Sequence, residues 1–373
     1  ALGASAGLFM MALACFQPAQ WSWTLYLGYP LCQLFGSINS YGIFVFMWLL
    51  PDHQNFVSSA VGGVTALSDM FTLLAVGLGS CCGLFIGWFL FGICILSLIA
   101  GTCCWFLIPD KKTMFLFVEK AVGETDDVPQ EGGEEMSREK EAEEEPTCCG
   151  EGGEWDLIKK SVSVMRHYKV ANGLLLVFSI FYCLSIIYPV QEMMYYYQAL
   201  FPKNSQAPDE LVNLFAVLYG IGGFVCALMG GVLCDKLGLR VFTVVVAACS
   251  FLVACTIPFP SFAIQVAAQL FMTLGLSLYM IVCNRFAMLY APPELFGTLS
   301  GVQFTVISFG MVFGMQGLSM VTATMEDGPL KYQVPFVVFG SLSTFFGLTL
   351  AWYWTRNPPP PVGAFCHGEH PQE

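Results

Sequence analysis

Hydrophobic positions in this chain form long, nearly unbroken runs. They show neither the alternation of a half-buried strand nor the single stripe of a surface helix. Ten runs occupy residues 1–17, 25–50, 56–79, 82–108, 170–192, 211–234, 240–259, 262–288, 297–321 and 333–355. Each is close to or above the ~18–20 residues that carry a helix across a bilayer. A transmembrane barrel would instead alternate in strands of about ten residues. In lipid every backbone polar group must be satisfied within its own segment, which a helix achieves. The pattern therefore predicts an all-α membrane protein with ten spans.

Composition agrees. The 373 residues are 56% hydrophobic and only 11% charged, where a soluble domain carries about a quarter. The net charge of −12 is local. Residues 119–156 hold fifteen acids and three bases, which alone give −12, so the other residues balance at twelve and twelve. That segment includes "EGGEEMSREKEAEEEP", is poor in apolar residues, and is expected to be a disordered, solvated linker. Binding of a cytoplasmic partner is its other reading.

The sixteen cysteines sit mostly inside the apolar runs, where they act as small apolar residues. No CxxC pair or Cys/His set suggests a metal. Cys148-Cys149 in the acidic segment is a candidate for acylation. No P-loop or HExxH is present, and nothing marks nucleic-acid binding. The chain is thus expected to be no enzyme and to need no cofactor. Ala1 lies within an apolar run without a basic leader, which fits a truncated start better than a signal peptide.

Basic residues set the orientation. One side collects Lys111, Lys112, Lys120, Arg138, Lys140, Lys159, Lys160, Arg166, Lys169, Lys236, Arg240, Arg285 and Arg356. The other holds Lys203 and Lys331, thirteen against two. The acidic loop and the C-terminus are therefore placed in the cytoplasm. The expected organisation is a four-helix part at 1–108, the acidic loop at 109–165, a six-helix part at 166–356 and a Pro-rich tail at 357–373.

The stretch "GGVLCDKLGLR" follows the second run after the acidic loop. It resembles the loop motif of the major facilitator superfamily, G-x-x-x-D-[RK]-x-G-x-[RK], at Gly231, Asp235, Lys236, Gly238 and Arg240. The resemblance implies two six-helix halves, with ten of twelve transmembrane helices present and the first two lying upstream of Ala1. It also implies that the motif's charges hold the halves together on the cytoplasmic side, with Arg285 a further candidate partner of Asp235. Simple positive-inside anchoring would explain Lys236 and Arg240 alone. An internal repeat supports the two halves: Ser58, Thr65 and Ser68 match Thr298, Thr305 and Ser308 at an offset of 240 residues. More narrowly, "LPDHQNFVSSAVGGVTALSDMF" and "APPELFGTLSGVQFTVISF" resemble the system-L-like amino-acid facilitators, a branch that includes the apicomplexan amino acid transporters.

Several residues are candidates for a solute pathway. Asp69 is the only acid well inside a run, and such residues usually face a bundle interior or a wet cavity. Ser58, Gly62, Thr65 and Asp69 recur at helical steps on one face. Proton carrier, binder of a substrate amine and structural partner are its competing roles. Ser37, Asn39, Ser40 and Tyr41 form a polar island that suits either a zwitterion or interhelical hydrogen bonds. Tyr195, Tyr196 and Tyr197 read as an aromatic belt or an outer gate. The resemblance implies transport of a small polar solute, amino acids first, by alternating access; the plasma membrane is the expected location, with an organelle membrane the alternative. A proton-coupled carrier of a sugar or organic anion and a non-transporting sensor or scaffold are the rivals. Asp69→Asn should lower uptake in cells while surface expression holds; uptake at the wild-type level would remove Asp69 from the pathway.

Overall fold

A computed structural model of the chain describes residues 2–28, 31–32, 59–60, 85–107, 154–204, 206–292 and 295–360. The described residues are helical and connecting segments throughout. Helix α1 is Leu2–Phe16 and α2 is Ile86–Leu107. They pack together, with Ser5 donating to Ser97 at 2.9 Å and the Cys94 thiol to the Ser5 carbonyl at 3.3 Å. The runs expected at 25–50 and 56–79 lie almost wholly outside the described residues.

Short helical segments at Pro18–Trp21 and 23–28 follow α1. The longer helices after α2 are α3, Glu154–His167; α4, Lys169–Leu200; α5, Ala207–Val217; α6, Gly223–Thr256; α7, Phe262–Tyr290; α8, Phe296–Ala323; and α9, Leu330–Arg356. A π-helical turn at Leu218–Gly222 joins α5 to α6. Gly238 breaks α6 into two arms. Seven helices among the described residues are long and apolar enough to cross a membrane. One is Ile86–Cys103, and the six others begin at Lys169, Ala207, Lys236, Phe262, Phe296 and Leu330. These six coincide with the runs read after the acidic loop.

Local chemistry sets the ends. Asn204 Oδ1 accepts the backbone N–H groups of Gln206 and Ala207 at 3.1 and 3.3 Å. Pro208, Asp209 and Glu210 then fill the first turn of α5, where a missing N–H costs nothing and negative charge suits the dipole. Helix α7 stops at Ala291 (φ −130°, ψ 144°), because the residue before a proline, here Pro292, is pushed to extended backbone. Tyr168 (φ −94°, ψ 38°) separates α3 from α4.

Two boundaries differ from the sequence reading. The run ending near 192 continues as helix to Leu200, because polar Gln191 and Glu192 interrupt the hydrophobicity but not the helix. The stretch 109–165 contains α3 from Glu154 onward. Net charge had hidden its amphipathic spacing, in which Leu157, Ser161, Val164 and Met165 turn inward.

The core lies among α4, α6, α7 and α9. Tyr182 and Tyr279 stack there at 4.6 Å, beside Phe178 and Phe286. Helix α8 is held chiefly by α4 and α3 and leaves much of its surface open. Its close approach to α4 depends on Gly310 and Gly314, which admit Ile180 and Leu184: a Cβ on Gly314 would stand 2.6 Å from Leu184 Cδ1. Gly314→Val should cost ~1–3 kcal/mol by overpacking and lower the thermal unfolding midpoint in detergent; an unchanged midpoint would contradict this seam.

Candidate functional site

The open side of α8 and the adjoining face of α4 line an open groove of about 530 Å³, in which Gln191, Ser308, Gln316 and Ser319 are exposed. It lies in the half of each helix farther from Lys169 and from the Gly231–Arg240 loop. Gln191, Ser308, Gln316 and Ser319 supply its polar lining, and Ile187, Met311, Val312 and Met315 its apolar lining. None of these side chains is charged. Each carboxamide offers donors and an acceptor, and each hydroxyl offers both. Methionines adapt to irregular ligand shapes. Such a lining can satisfy a solute carrying both donors and acceptors, and among the described residues of this wall it offers no counter-charge to a net ion.

The sequence places these groups through helix geometry. Ser308, Met311, Val312, Met315, Gln316 and Ser319 follow steps of three and four, one face of α8. Ile187 and Gln191 are one turn apart on α4, with Pro189 between them. Proline cannot donate to the Ser185 carbonyl. One turn earlier, the Ser185 hydroxyl donates to the Tyr182 carbonyl at 2.7 Å.

Toward the α3 end of the same seam, Gln303 of α8 donates to Asn172 Oδ1 of α4 at 2.9 Å, with both residues buried. The Asn172 amide turns back to the Met165 and Tyr168 carbonyls at 3.4 and 3.3 Å. Trp354 donates to the Tyr290 hydroxyl at 2.9 Å, and Tyr168 meets Tyr290 edge-on. Burial raises the Tyr168 pKa above that of an ordinary tyrosine, so it stays a neutral phenol at physiological pH.

At the opposite end, Tyr196 and Tyr197 are buried and Tyr195 is exposed. The Tyr196 hydroxyl donates to the Ile257 carbonyl. Gln265 donates to the same carbonyl at 2.9 Å and to that of Phe259 at 2.8 Å. Gln269 bonds the Tyr197 hydroxyl at 3.0 Å and the Leu211 carbonyl at 2.8 Å. Two of the three tyrosines thus tie α4 to α7 and to the α6–α7 connection, while the third remains on the surface.

Of the repeat residues on α8, Ser308 lines the groove. Thr305 is exposed and bonds its own helix at the Gly301 carbonyl, and Thr298 is half-buried. Ser37, Asn39, Ser40, Tyr41, Ser58, Thr65 and Asp69 lie outside the described residues. Gln191 stands four residues before the tyrosine triplet and was not among the sequence candidates. Gln316 and Ser319 were missed, although amide and hydroxyl groups inside an apolar run are the signal that finds them.

In the loop motif, Gly231 is buried, Lys236 and Arg240 are exposed, and Arg285 is half-buried on the neighbouring α7. Asp235 is described by its backbone alone. Gly238 has φ 78° and ψ 162°, a region only glycine enters at little cost. Space is not the reason, since a Cβ there would meet nothing within 4 Å. The motif's second glycine is therefore a conformational requirement of the break between the arms of α6. Gly238→Ala should lose ~1–3 kcal/mol in thermal unfolding. Gly317→Ala, at a helical glycine that also has open space around it, should leave the midpoint unchanged or raise it. Equal behaviour of the two variants would contradict the strain argument.

The family profile of the Major Facilitator Superfamily matches residues 1–315 and 170–365. No curated protein matches the chain. The profile covers well over half of the sequence, and the helices have the length and apolarity of membrane spans. The chain belongs to the major facilitator superfamily, as an integral, multi-pass membrane protein among secondary transporters of small solutes.

Proposed function

We propose that the chain moves amino acids across the plasma membrane by alternating access, with solute held in the groove between α4 and α8. The observation that supports this most is a lining of two carboxamides and two hydroxyls with no charge. A zwitterion has no net charge and presents a carboxylate and an ammonium group. Carboxamide N–H groups suit the first, and carboxamide and hydroxyl oxygens the second. An organic anion would lack a cationic partner among these lining residues. The two segments resembling system-L-like amino-acid facilitators point the same way.

In this reading Ser308, Gln191, Gln316 and Ser319 meet the solute from the C-terminal half. Ser37, Asn39, Ser40, Tyr41, Ser58, Thr65 and Asp69 meet it from the N-terminal half, and Thr298 and Thr305 complete the polar pathway. Tyr195, the exposed member of its triplet, carries the outer-gate role. Gly231, Asp235, Lys236, Gly238 and Arg240, with Arg285, form the cytoplasmic gate. Rocking of the halves about a fixed site exposes the solute to each side in turn.

The test is uptake of labelled neutral amino acids, glucose and a dicarboxylate by cells expressing the protein from its complete transcript. Amino acids should be taken up at a rate insensitive to external pH. Gln316→Leu should reduce that uptake about tenfold, the effect of losing one hydrogen bond to a charged group, with surface expression unchanged. Transport of the sugar or dicarboxylate alone would overturn the substrate class, and normal uptake by Gln316→Leu would overturn the site.

A further inference from the structure

Helix α3 has two faces of different chemistry. Leu157, Val164 and Met165 pack against Ala291 at the end of α7 and Leu295 and Leu299 at the start of α8, and Ser161 on the same face is fully buried. The helix is therefore fastened to the end of the bundle where α4 begins and α7 ends. The break at Tyr168 separates it from α4, and it packs on α8 as well as on α4. The opposite face carries Trp155, Lys159, Val162 and Arg166, all exposed, with Trp155 at 74% and Val162 at 48%. Their steps of four, three and four form one stripe. Lys160 and Lys169 are exposed beside it. Lys159 is only loosely engaged by Asp156, at 3.6 Å on the surface.

An exposed tryptophan and valine alternating with cations suit a surface that is apolar underneath and negative above. That combination is the boundary between headgroups and acyl chains of an anionic leaflet. The acidic segment just before α3 is the rival occupant, since it offers the complementary charge. Its "EGGEEMSREKEAEEEP" stretch has almost no apolar side chain with which to cover Trp155 and Val162. Helix α4, long and apolar enough to cross a membrane, begins at Lys169, two residues after α3 ends, which sets α3 next to the membrane surface.

We propose that α3 is a lipid-binding helix. Trp155 and Val162 enter the headgroup–acyl boundary of the cytoplasmic leaflet, while Lys159 and Arg166 hold anionic phospholipid headgroups. The proposal rests on the membrane family and on the cytoplasmic assignment of this end.

The test is amide hydrogen exchange of the whole chain in nanodiscs of phosphatidylcholine alone and of phosphatidylcholine mixed with phosphatidylserine. Exchange over residues 155–166 should slow on the order of tenfold with the anionic lipid. The double variant Lys159→Gln/Arg166→Gln should lose that difference while α8 keeps its protection, which shows that the fold is intact. Trp155→Ala should weaken the slowing in the same way. Equal exchange of the wild-type helix in the two discs would overturn the proposal. So would a slowing that disappears when residues 119–150 are deleted, since the face would then belong to the acidic segment.

Discussion

A helix surrounded by hydrocarbon gains little by exchanging lipid contacts for apolar protein contacts, because acyl chains are as apolar as leucine. What holds the C-terminal bundle in one arrangement is close packing together with a few interhelical hydrogen bonds made by buried carboxamides. Gln303 ties α8 to α4 through Asn172. Gln265 and Gln269 tie α7 to the end of α4 and to α5. Gln333 reaches the Pro258 carbonyl from α9 at 3.3 Å. Each bond is modest, roughly 0.6 kcal/mol on average in such settings. Their effect lies in register, since sliding a helix by one turn would strand a buried amide.

The seam between α4 and α8 combines these two forces unequally along its length. Near α3 it is closed by the Gln303–Asn172 bond and by the fit of Ile180 and Leu184 against glycines. Farther along, beside Pro189, it opens into the groove. The same pair of helices thus provides a rigid base and an open polar groove. Side chains of one chemical type serve both ends: an amide with a protein partner locks the seam, and an amide facing the groove is available to a solute.

Hydropathy made the six C-terminal spans legible, and their order follows the runs closely. Their ends were less so, because helices do not stop where hydrophobicity stops. Gln191 and Glu192 read as a boundary, yet α4 continues through Tyr197 to Leu200. Helix α3 was concealed by averaging its charge with the acids before it. In the site, Ser308 could be found from the internal repeat, whereas Gln316 has no counterpart that the repeat would flag. The glycine of the loop motif could be recognised by pattern. Its reason, a backbone angle of φ 78°, required coordinates. The tyrosine triplet looked uniform in sequence, but the turn of the helix sends Tyr196 and Tyr197 inward and Tyr195 outward.

The widened turn at Leu218–Gly222 has a consequence for how this span tolerates change in length. At Gly223 the backbone N–H reaches the Leu218 carbonyl, enclosing one residue more than an α-helical bond would. That surplus residue is absorbed locally, so Leu211 keeps its place against Gln269 while Gly230 keeps its place against α7. Removing it would rotate one part of the span against the other by about 100° and turn one of these contacts away from its partner. A chain one residue shorter here would need compensating substitutions along an entire helical face to recover both contacts, so the length of this span and its pattern of small and polar residues are set jointly.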